Sequence, residues 1–271
     1  MGHEVSQACI RRGMTLAPVG LTGPSMPAQC QVQEGALTLD VKLVGPEAPG
    51  AQKQALEELK KQHGDRLVII DFTHPTAVNP NSELYASAGV NFVFGTTGGD
   101  REKLMKVTAD SGVYAVIAPN MGKQIVALQA AMERMGRDFP GAFGGYKLEV
   151  TESHQKTKAD TSGTAKAMVG SFQQLGVEPF SHDQIQMLRD DASQAAFGVP
   201  PEFSTGHAWH TYTLTSPDGS VQFQFKHNVC GRRTYGEGVA DAVEFIARKA
   251  LEKSEKKIFN MIDILEAGEM K

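Results

Sequence analysis

The chain has 271 residues and a mass of 29.2 kDa, enough to bury a substantial core in one large domain or two small ones. Hydrophobic residues make up 41% and charged residues 21%, which excludes a disordered or fibrous chain. The net charge of −4 gives no whole-chain basic footprint for nucleic acid, and no run reaches the ~18–20 apolar residues of a membrane span. Cys9, Cys30 and Cys230 are odd in number and far apart. They fit a reducing compartment better than a disulfide framework or a zinc site.

Residues 3–12 read as a helix closed by Gly13, with no signal h-region and no Arg/Ser-rich transit segment. The apolar run 14–21 reads as a strand, and 32–44 as one or two short strands. Segment 51–62 carries Leu56 and Leu59 at helical spacing. The run LVIIDF at 67–72 is short, continuous and apolar, the mark of a buried parallel strand. Helices over 81–88 and 101–109 then alternate with strands over 90–94 and 114–118. This alternation predicts an α/β fold with a Rossmann-like, doubly wound parallel sheet.

The pattern changes beyond 122. A long helix over 123–137 precedes a strand over 146–152 and a helix over 163–175, stopped by Gly176. Three strands over 183–189, 207–215 and 221–228, with little helix between them, suggest an open, mixed and largely antiparallel sheet. An amphipathic helix over 238–253 and a short one near 258–265 end the chain. The expected domains are 1–122 with 234–271, and an α+β insertion over 123–233. A half-covered sheet must be buried somewhere, so a homo-oligomer, dimer or tetramer, is expected.

Ligands in doubly wound sheets bind beyond the carboxyl ends of the strands. Three such ends are small and polar here: Phe72-Thr73-His74-Pro75, Gly95-Thr96-Thr97-Gly98-Gly99 and Ala118-Pro119-Asn120-Met121-Gly122. Their glycines would let a ligand approach the backbone. Each alone also fits an ordinary turn. Three in series on one edge favour a ligand site.

The densest polar segment is 152–165, ESHQKTKADTSGTA, between a strand and a helix. His154 and Lys158 could serve as proton donor and carboxylate or carbonyl partner. The helix opening at Ser162-Gly163-Thr164 could take a carboxylate. Solvated lysines and a capping Ser162 fit equally well on residue types alone. His207 and His210 lie three apart on a strand, so they face opposite sides. Without a third ligand no metal is expected, and sheet-surface histidines are the expectation. Cys230 reads as a small core residue.

Segment 152–165 closely resembles the signature of the 4-hydroxy-tetrahydrodipicolinate reductase family, which acts in lysine synthesis through diaminopimelate. Further matches follow at Asp71-Phe72-Thr73-His74-Pro75, Gly95-Thr96-Thr97-Gly98, Ala118-Pro119-Asn120 and Cys230-Gly231-Arg232-Arg233-Thr234-Tyr235. The variants GTTGGDREKL, NMGKQ and ESHQKTKADTSGTAKA are most similar to the plant and algal branch. The resemblance implies reduction of a small dicarboxylate by a nicotinamide cofactor, with loss of water. His154 matches the family's catalytic histidine and Lys158 its catalytic lysine. Gly163 and Thr164 would hold a substrate carboxylate through backbone N–H groups. Gln155 stands where many members carry a second histidine, and Arg232 is a second carboxylate partner. Phe72, Thr73, Gly95, Thr96, Thr97, Ala118, Pro119, Asn120 and Met121 match the loops on the nicotinamide side of the cofactor. The branch also implies the chloroplast stroma.

Two departures bear on the expectation. The family opens with a strand and a glycine loop, of which Met1-Gly2 matches the end. The first sheet is therefore expected to be N-terminally truncated, with a gap and weak cofactor binding. An NAD-type acid is absent from Val19-Gly20-Leu21-Thr22-Gly23. That favours NADPH, with NADH possible. Two other readings stand beside the reductase: a non-catalytic dinucleotide sensor, and a lyase forming a Schiff base through Lys158 in an apolar pocket.

Overall fold

The computed structural model describes residues 1–47 and 50–268. Its elements in chain order are α1 (Gly2–Arg11), β1 (Val19–Leu21), β2 (Gln29–Glu34), β3 (Leu37–Val44), α2 (Ala51–His63) and β4 (Val68–Asp71). Then come α3 (Val78–Ser87), β5 (Asn91–Phe94), α4 (Arg101–Ser111), β6 (Ala115–Ile117), α5 (Lys123–Asp138) and β7 (Lys147–His154). The chain continues through α6 (Gly163–Gln174), β8 (Gln186–Leu188), α7 (Asp191–Phe197), β9 (His207–Thr215) and β10 (Gln222–Cys230). It closes with α8 (Arg233–Leu251), β11 (Ile258–Phe259) and α9 (Met261–Glu266). Two compact units form, Met1–Lys123 with Tyr235–Lys271, and Gln124–Thr234. The last three positions of the expected 234–271 segment lie outside the described residues.

The first unit holds two sheets. One is parallel throughout, in the order β11-β6-β5-β4. All four residues of β5 are buried, as a continuous apolar run covered on both faces requires. Phe92, Phe94, Tyr85, Leu104 and Ile117 form its core. Asp100 caps α4 by accepting from the Lys103 amide at 3.0 Å, and Gly112 ends that helix at φ +74°. The other sheet is β1-β3-β2, a hairpin with β1 added in parallel. Thus β1 and β4 each lie at the edge of a separate sheet among the described residues. The C-terminal α8 belongs partly to this unit. Buried Asp241 on α8 pairs with Arg12 at 2.6 Å and Lys123 at 2.9 Å. Gly238 is needed where α8 passes the loop after β6, since a Cβ there would lie 1.7 Å from the Met121 carbonyl oxygen.

The second unit is a mixed sheet in the order β10-β9-β7-β8, antiparallel except for the β7–β8 pair. One face of β7 and β9 carries Leu148, Val150, Tyr212 and Leu214. These pack with Met168, Phe172 and Leu175 of α6. Toward the C-terminal end of β7 the same face turns polar, through Glu152, His154 and His210. The apolar core thus runs directly into a buried charged cluster.

Several sequence expectations need correction. The strand expected over 14–21 is confined to 19–21. The strand expected over 183–189 is β8 alone, preceded by a 3₁₀ turn, and α7 was not anticipated. Asp190 creates that helix start by accepting from the Ser193 amide at 2.9 Å. Residues 258–265 divide into β11 and α9, because the Asn260 side chain caps a new helix at 2.8 Å from the Ile262 amide. Helix α8 begins at Arg233, five residues before its expected start. Cys230 is exposed rather than part of the core, and it accepts from Trp209 Nε1 at 3.4 Å.

Candidate functional site

In the first unit, the three loops named from the sequence follow parallel strands β4, β5 and β6 and share one sheet edge. Asp71, buried at the end of β4, organises them. Its Oδ1 accepts from Thr96 Oγ1 at 2.6 Å, Thr73 Oγ1 at 2.8 Å and the Thr73 amide at 3.0 Å. Its Oδ2 accepts from Tyr85 Oη at 2.7 Å and Asn81 Nδ2 at 2.8 Å. Burial, and then the Asp71 charge, push the Tyr85 phenol up, so it remains a donor. Thr73 and Thr96 are therefore held by a carboxylate, which sequence reading had not singled out.

The glycines of the second loop are required by packing. A Cβ on Gly95 would lie 2.2 Å from the Phe72 ring, one on Gly98 2.8 Å from Pro75, and one on Gly99 2.7 Å from Val78. They let the second loop pack against the first. Thr97 remains exposed at the tip and Asn120 is half-buried. Asn120 is fixed by accepting from the Gly122 amide at 2.8 Å. Segments 72–75, 95–99 and 118–121 contain neither Lys nor Arg. Such a surface of hydroxyls, amide and backbone groups suits an uncharged carboxamide or sugar hydroxyl better than a diphosphate.

At the end of β1, Thr22 lies beside the Gln52 side chain, which donates to its carbonyl at 3.1 Å. Tertiary folding brings an acid here that the local sequence lacks. Glu47 Oε1 accepts from the Ser25 amide at 2.9 Å.

In the second unit, the strand–loop–helix from Glu152 to Thr164 gathers the chemistry. Glu152 and His154 lie on the covered face of β7. Arg189 clamps the loop. It donates to Glu152 Oε1 at 2.5 Å and to the Lys158 carbonyl at 2.9 Å. Glu152 also accepts from the Ser162 amide at 3.0 Å. Ser162 sits at the cap position of α6, yet its side chain makes no capping bond. Gly163 and Thr164 open the first turn, whose N–H groups point out of the helix end. Lys158 is largely sheltered and pairs with Asp160 at 2.6 Å, whereas exposed Lys156 pairs with Asp191 at 2.6 Å. A lysine bound to a carboxylate is not in the apolar pocket a Schiff-base lyase needs. Gln155 is half-buried at the end of β7, and Arg232 is exposed just before α8.

His207 and His210 face opposite sides as expected, but neither is on the surface; they are 3% and 1% exposed. Loops and α6 cover both faces of this end of the sheet, which strand spacing alone does not reveal. His207 Nε2 contacts Ser153 Oγ at 2.8 Å. His210 Nε2 meets His154 Nε2 at 3.0 Å. One ligand-type atom from each of Glu152, His154 and His210 lies within 4.8 Å of the others, so a third such group is present after all. Its carboxylate is already engaged by Arg189 and the Ser162 amide. Burial pushes His154 down to about 3, reinforced by the positive charges of Arg189 and Lys158. At neutral pH its imidazole is uncharged.

Two family profiles match the chain. One, described as dihydrodipicolinate reductase, N-terminus, covers residues 1–121; the other, dihydrodipicolinate reductase, C-terminus, covers 124–265. The chain is 48% identical over 274 residues to 4-hydroxy-tetrahydrodipicolinate reductase 2, chloroplastic, of Arabidopsis thaliana. That match covers all of this chain and 76% of the relative. It is 46% identical to a probable chloroplastic 4-hydroxy-tetrahydrodipicolinate reductase 1 of Oryza sativa subsp. japonica, covering all of this chain and 77% of that one. Among solved structures, a dipicolinate-bound dihydrodipicolinate reductase from Paenisporosarcina sp. TG-14 superposes with a TM-score of 0.59 at 18% identity. It covers 96% of this chain and 92% of its own.

Proposed function

Within the dihydrodipicolinate reductase family, to which this chain belongs, we propose that this protein reduces 4-hydroxy-tetrahydrodipicolinate to tetrahydrodipicolinate. The reaction takes up one hydride and one proton and releases one water, a step of lysine synthesis. The observation that carries the reading is the strand–loop–helix from Glu152 to Thr164. It gathers a buried imidazole, an ammonium group and a helix N-terminus in one segment.

A nicotinamide dinucleotide, when bound, supplies the hydride. Phe72, Thr73, Gly95, Thr96, Thr97, Ala118, Pro119, Asn120 and Met121 would hold its nicotinamide side, as their uncharged polar surface allows. The substrate is a dicarboxylate. The first-turn amides of Gly163 and Thr164 would take one carboxylate, and Arg232 the other, with Gln155 as a neutral contact. Lys158, released from Asp160, would bind and polarise the substrate as the charged donor. His154, uncharged at neutral pH, would orient the substrate through a ring N–H rather than deliver a proton as an imidazolium.

NADPH is the proposed reductant, because strand β1 ends without an acid of its own. The chloroplast stroma is the proposed location, after the relatives named chloroplastic. A homo-oligomer, dimer or tetramer, is proposed because β10 lies at a sheet edge and its own Phe223 is 43% exposed. Light scattering distinguishes these states from a monomer.

The test follows NADPH oxidation with substrate generated in situ by the upstream synthase. Turnover by the intact chain, lost in His154→Ala and Lys158→Ala while both variants stay folded, is expected. A folded chain with no turnover, or full activity in both variants, overturns the reading.

A further inference from the structure

The second unit holds a line of buried groups behind His154. His154 Nε2 lies 3.0 Å from His210 Nε2, and His210 Nδ1 lies 2.9 Å from Tyr212 Oη. His210 is directly opposite Glu152 across the β7–β9 ladder, so His154 is its diagonal neighbour. Tyr212 follows two residues on, on the same covered face. His227 of β10 stacks on His210 with ring centroids 4.6 Å apart. The charged and titratable groups around His210 are thus Glu152 and His154 on β7, Tyr212 on β9 and His227 on β10, with Arg189 and Lys158 acting on it from the neighbouring loops.

We infer that Tyr212 and His210 form a tautomer lock behind His154, holding its single ring proton on Nδ1. Tyr212 is fully buried, and His210 Nδ1 is its hydrogen-bond partner among the described residues. A buried hydroxyl hydrogen left without an acceptor is costly, so Tyr212 donates. Burial, with the nearby Glu152, keeps the phenol protonated. His210 Nδ1 is therefore an acceptor and carries no hydrogen. Burial holds His210 well below its ordinary value, so the ring is neutral and its one hydrogen sits on Nε2. That hydrogen points at His154 Nε2, which must accept it. His154 is neutral as well, so its own hydrogen is on Nδ1. The chain is Tyr212 Oη–H to His210 Nδ1, then His210 Nε2–H to His154 Nε2.

The inference rests on the proposed reductase reading for its consequence, since a fixed Nδ1–H makes His154 a donor of one defined direction. Tyr212 and His210 are then positioning residues that act through His154. The geometry of the lock itself stands without that reading.

The experiment uses the full chain labelled with ¹⁵N in histidine, alongside His210→Leu, His210→Gln and Tyr212→Phe. Ring-nitrogen chemical shifts distinguish N–H from bare nitrogen. The wild type is expected to show His154 with a protonated Nδ1 and a bare Nε2. His210→Leu and Tyr212→Phe should shift His154 toward a mixture of tautomers. His210→Gln restores an N–H donor and should recover the wild-type pattern. In turnover, His210→Leu should lower kcat by roughly 10- to 100-fold, the scale on which hydrogen-bond partners behind a functional histidine act, with KM little changed and partial rescue in His210→Gln. A wild-type His154 protonated on Nε2 overturns the lock, as does an unchanged tautomer in both His210→Leu and Tyr212→Phe. Tyr212→Phe removes a single hydroxyl, so it decides the matter if His210→Leu does not fold. Wild-type turnover with unchanged kcat in the folded variants overturns the lock's role. A locked tautomer in a wild-type chain that shows no turnover overturns the reductase reading and leaves the lock.

Discussion

Asp71 and Thr96 are joined by a 2.6 Å hydrogen bond that ties the end of β4 to the end of β5. The same carboxylate holds Thr73, Asn81 and Tyr85. A single buried acid thus sets the shape of two of the loops proposed to meet the dinucleotide.

Asp71→Asn tests this arrangement. An amide presents one acceptor oxygen where the carboxylate has two, so buried donors lose their partner. The expected cost is about 2–4 kcal/mol in stability, from one or two unsatisfied donors. The KM for the dinucleotide should rise while that for the dicarboxylate stays near wild type. Steady-state kinetics with each substrate varied, together with urea unfolding, provide the check. An unchanged dinucleotide KM would remove Asp71 from the site.

Arg189 and Glu152 form the corresponding pair in the second unit. Arg189→Met leaves a fully buried carboxylate without its cation and should cost about 3–5 kcal/mol. Arg189 also helps push His154 and His210 down. Removing its positive charge therefore raises both imidazoles. An NMR titration of His154 should show its pKa above the value of about 3 set in the native chain. Arg189→Lys keeps the charge and should return the titration toward wild type. No difference between the two variants would refute the electrostatic account.

Stability of the second unit should fall in mild acid. His154 is held near 3 and His227 is pushed down to about 4 by burial. Below an ordinary value of 6.5 the unfolded chain gains protons that these folded rings do not. The unfolded state then binds more protons, so stability is full above 6.5 and is lost as pH falls toward the folded values. At about pH 5 each such ring costs about 2 kcal/mol. His227 also has two buried ring nitrogens without a hydrogen-bond partner among the described residues. His227→Phe should recover about 2 kcal/mol at about pH 5 and little near neutrality. Urea unfolding at the two pH values measures this, and an identical acid loss in the variant would contradict it.

Glu47 should act against a 2′-phosphate at the end of β1. Its carboxyl is held below the usual range, by its own backbone and then by the Ser25 amide, so it remains charged. Repulsion between two like charges held close together in water is modest, roughly fivefold in affinity. Glu47→Gln should raise kcat/KM for NADPH by about that factor and leave NADH nearly unchanged. A clear wild-type preference for NADH would overturn the proposed reductant.

The local sequence of this protein determined the elements whose pattern is self-sufficient. The run at 67–72 and the strand at 91–94 read directly as parallel strands; 91–94 is buried throughout, as its continuous apolar run requires, whereas β4 lies at the sheet edge and Val68, Ile69 and Ile70 are only half-buried. Segment 152–165 was legible because its residues are contiguous, and a strand followed by a helix opening keeps them together in space. What the sequence could not display were partners that folding brings from a distance. Arg189 reaches Glu152 across 37 residues, His210 reaches His154 across 56, and Glu47 reaches Ser25 across 22. Nor could spacing show that His210 is buried, since a period of two assigns a face but not what covers it. Tertiary structure decided those contacts, and burial then set the charge states: the imidazoles were forced neutral and the carboxylates were matched with donors. Residue types fixed which groups were available. Only their enclosure decided which of them hold protons.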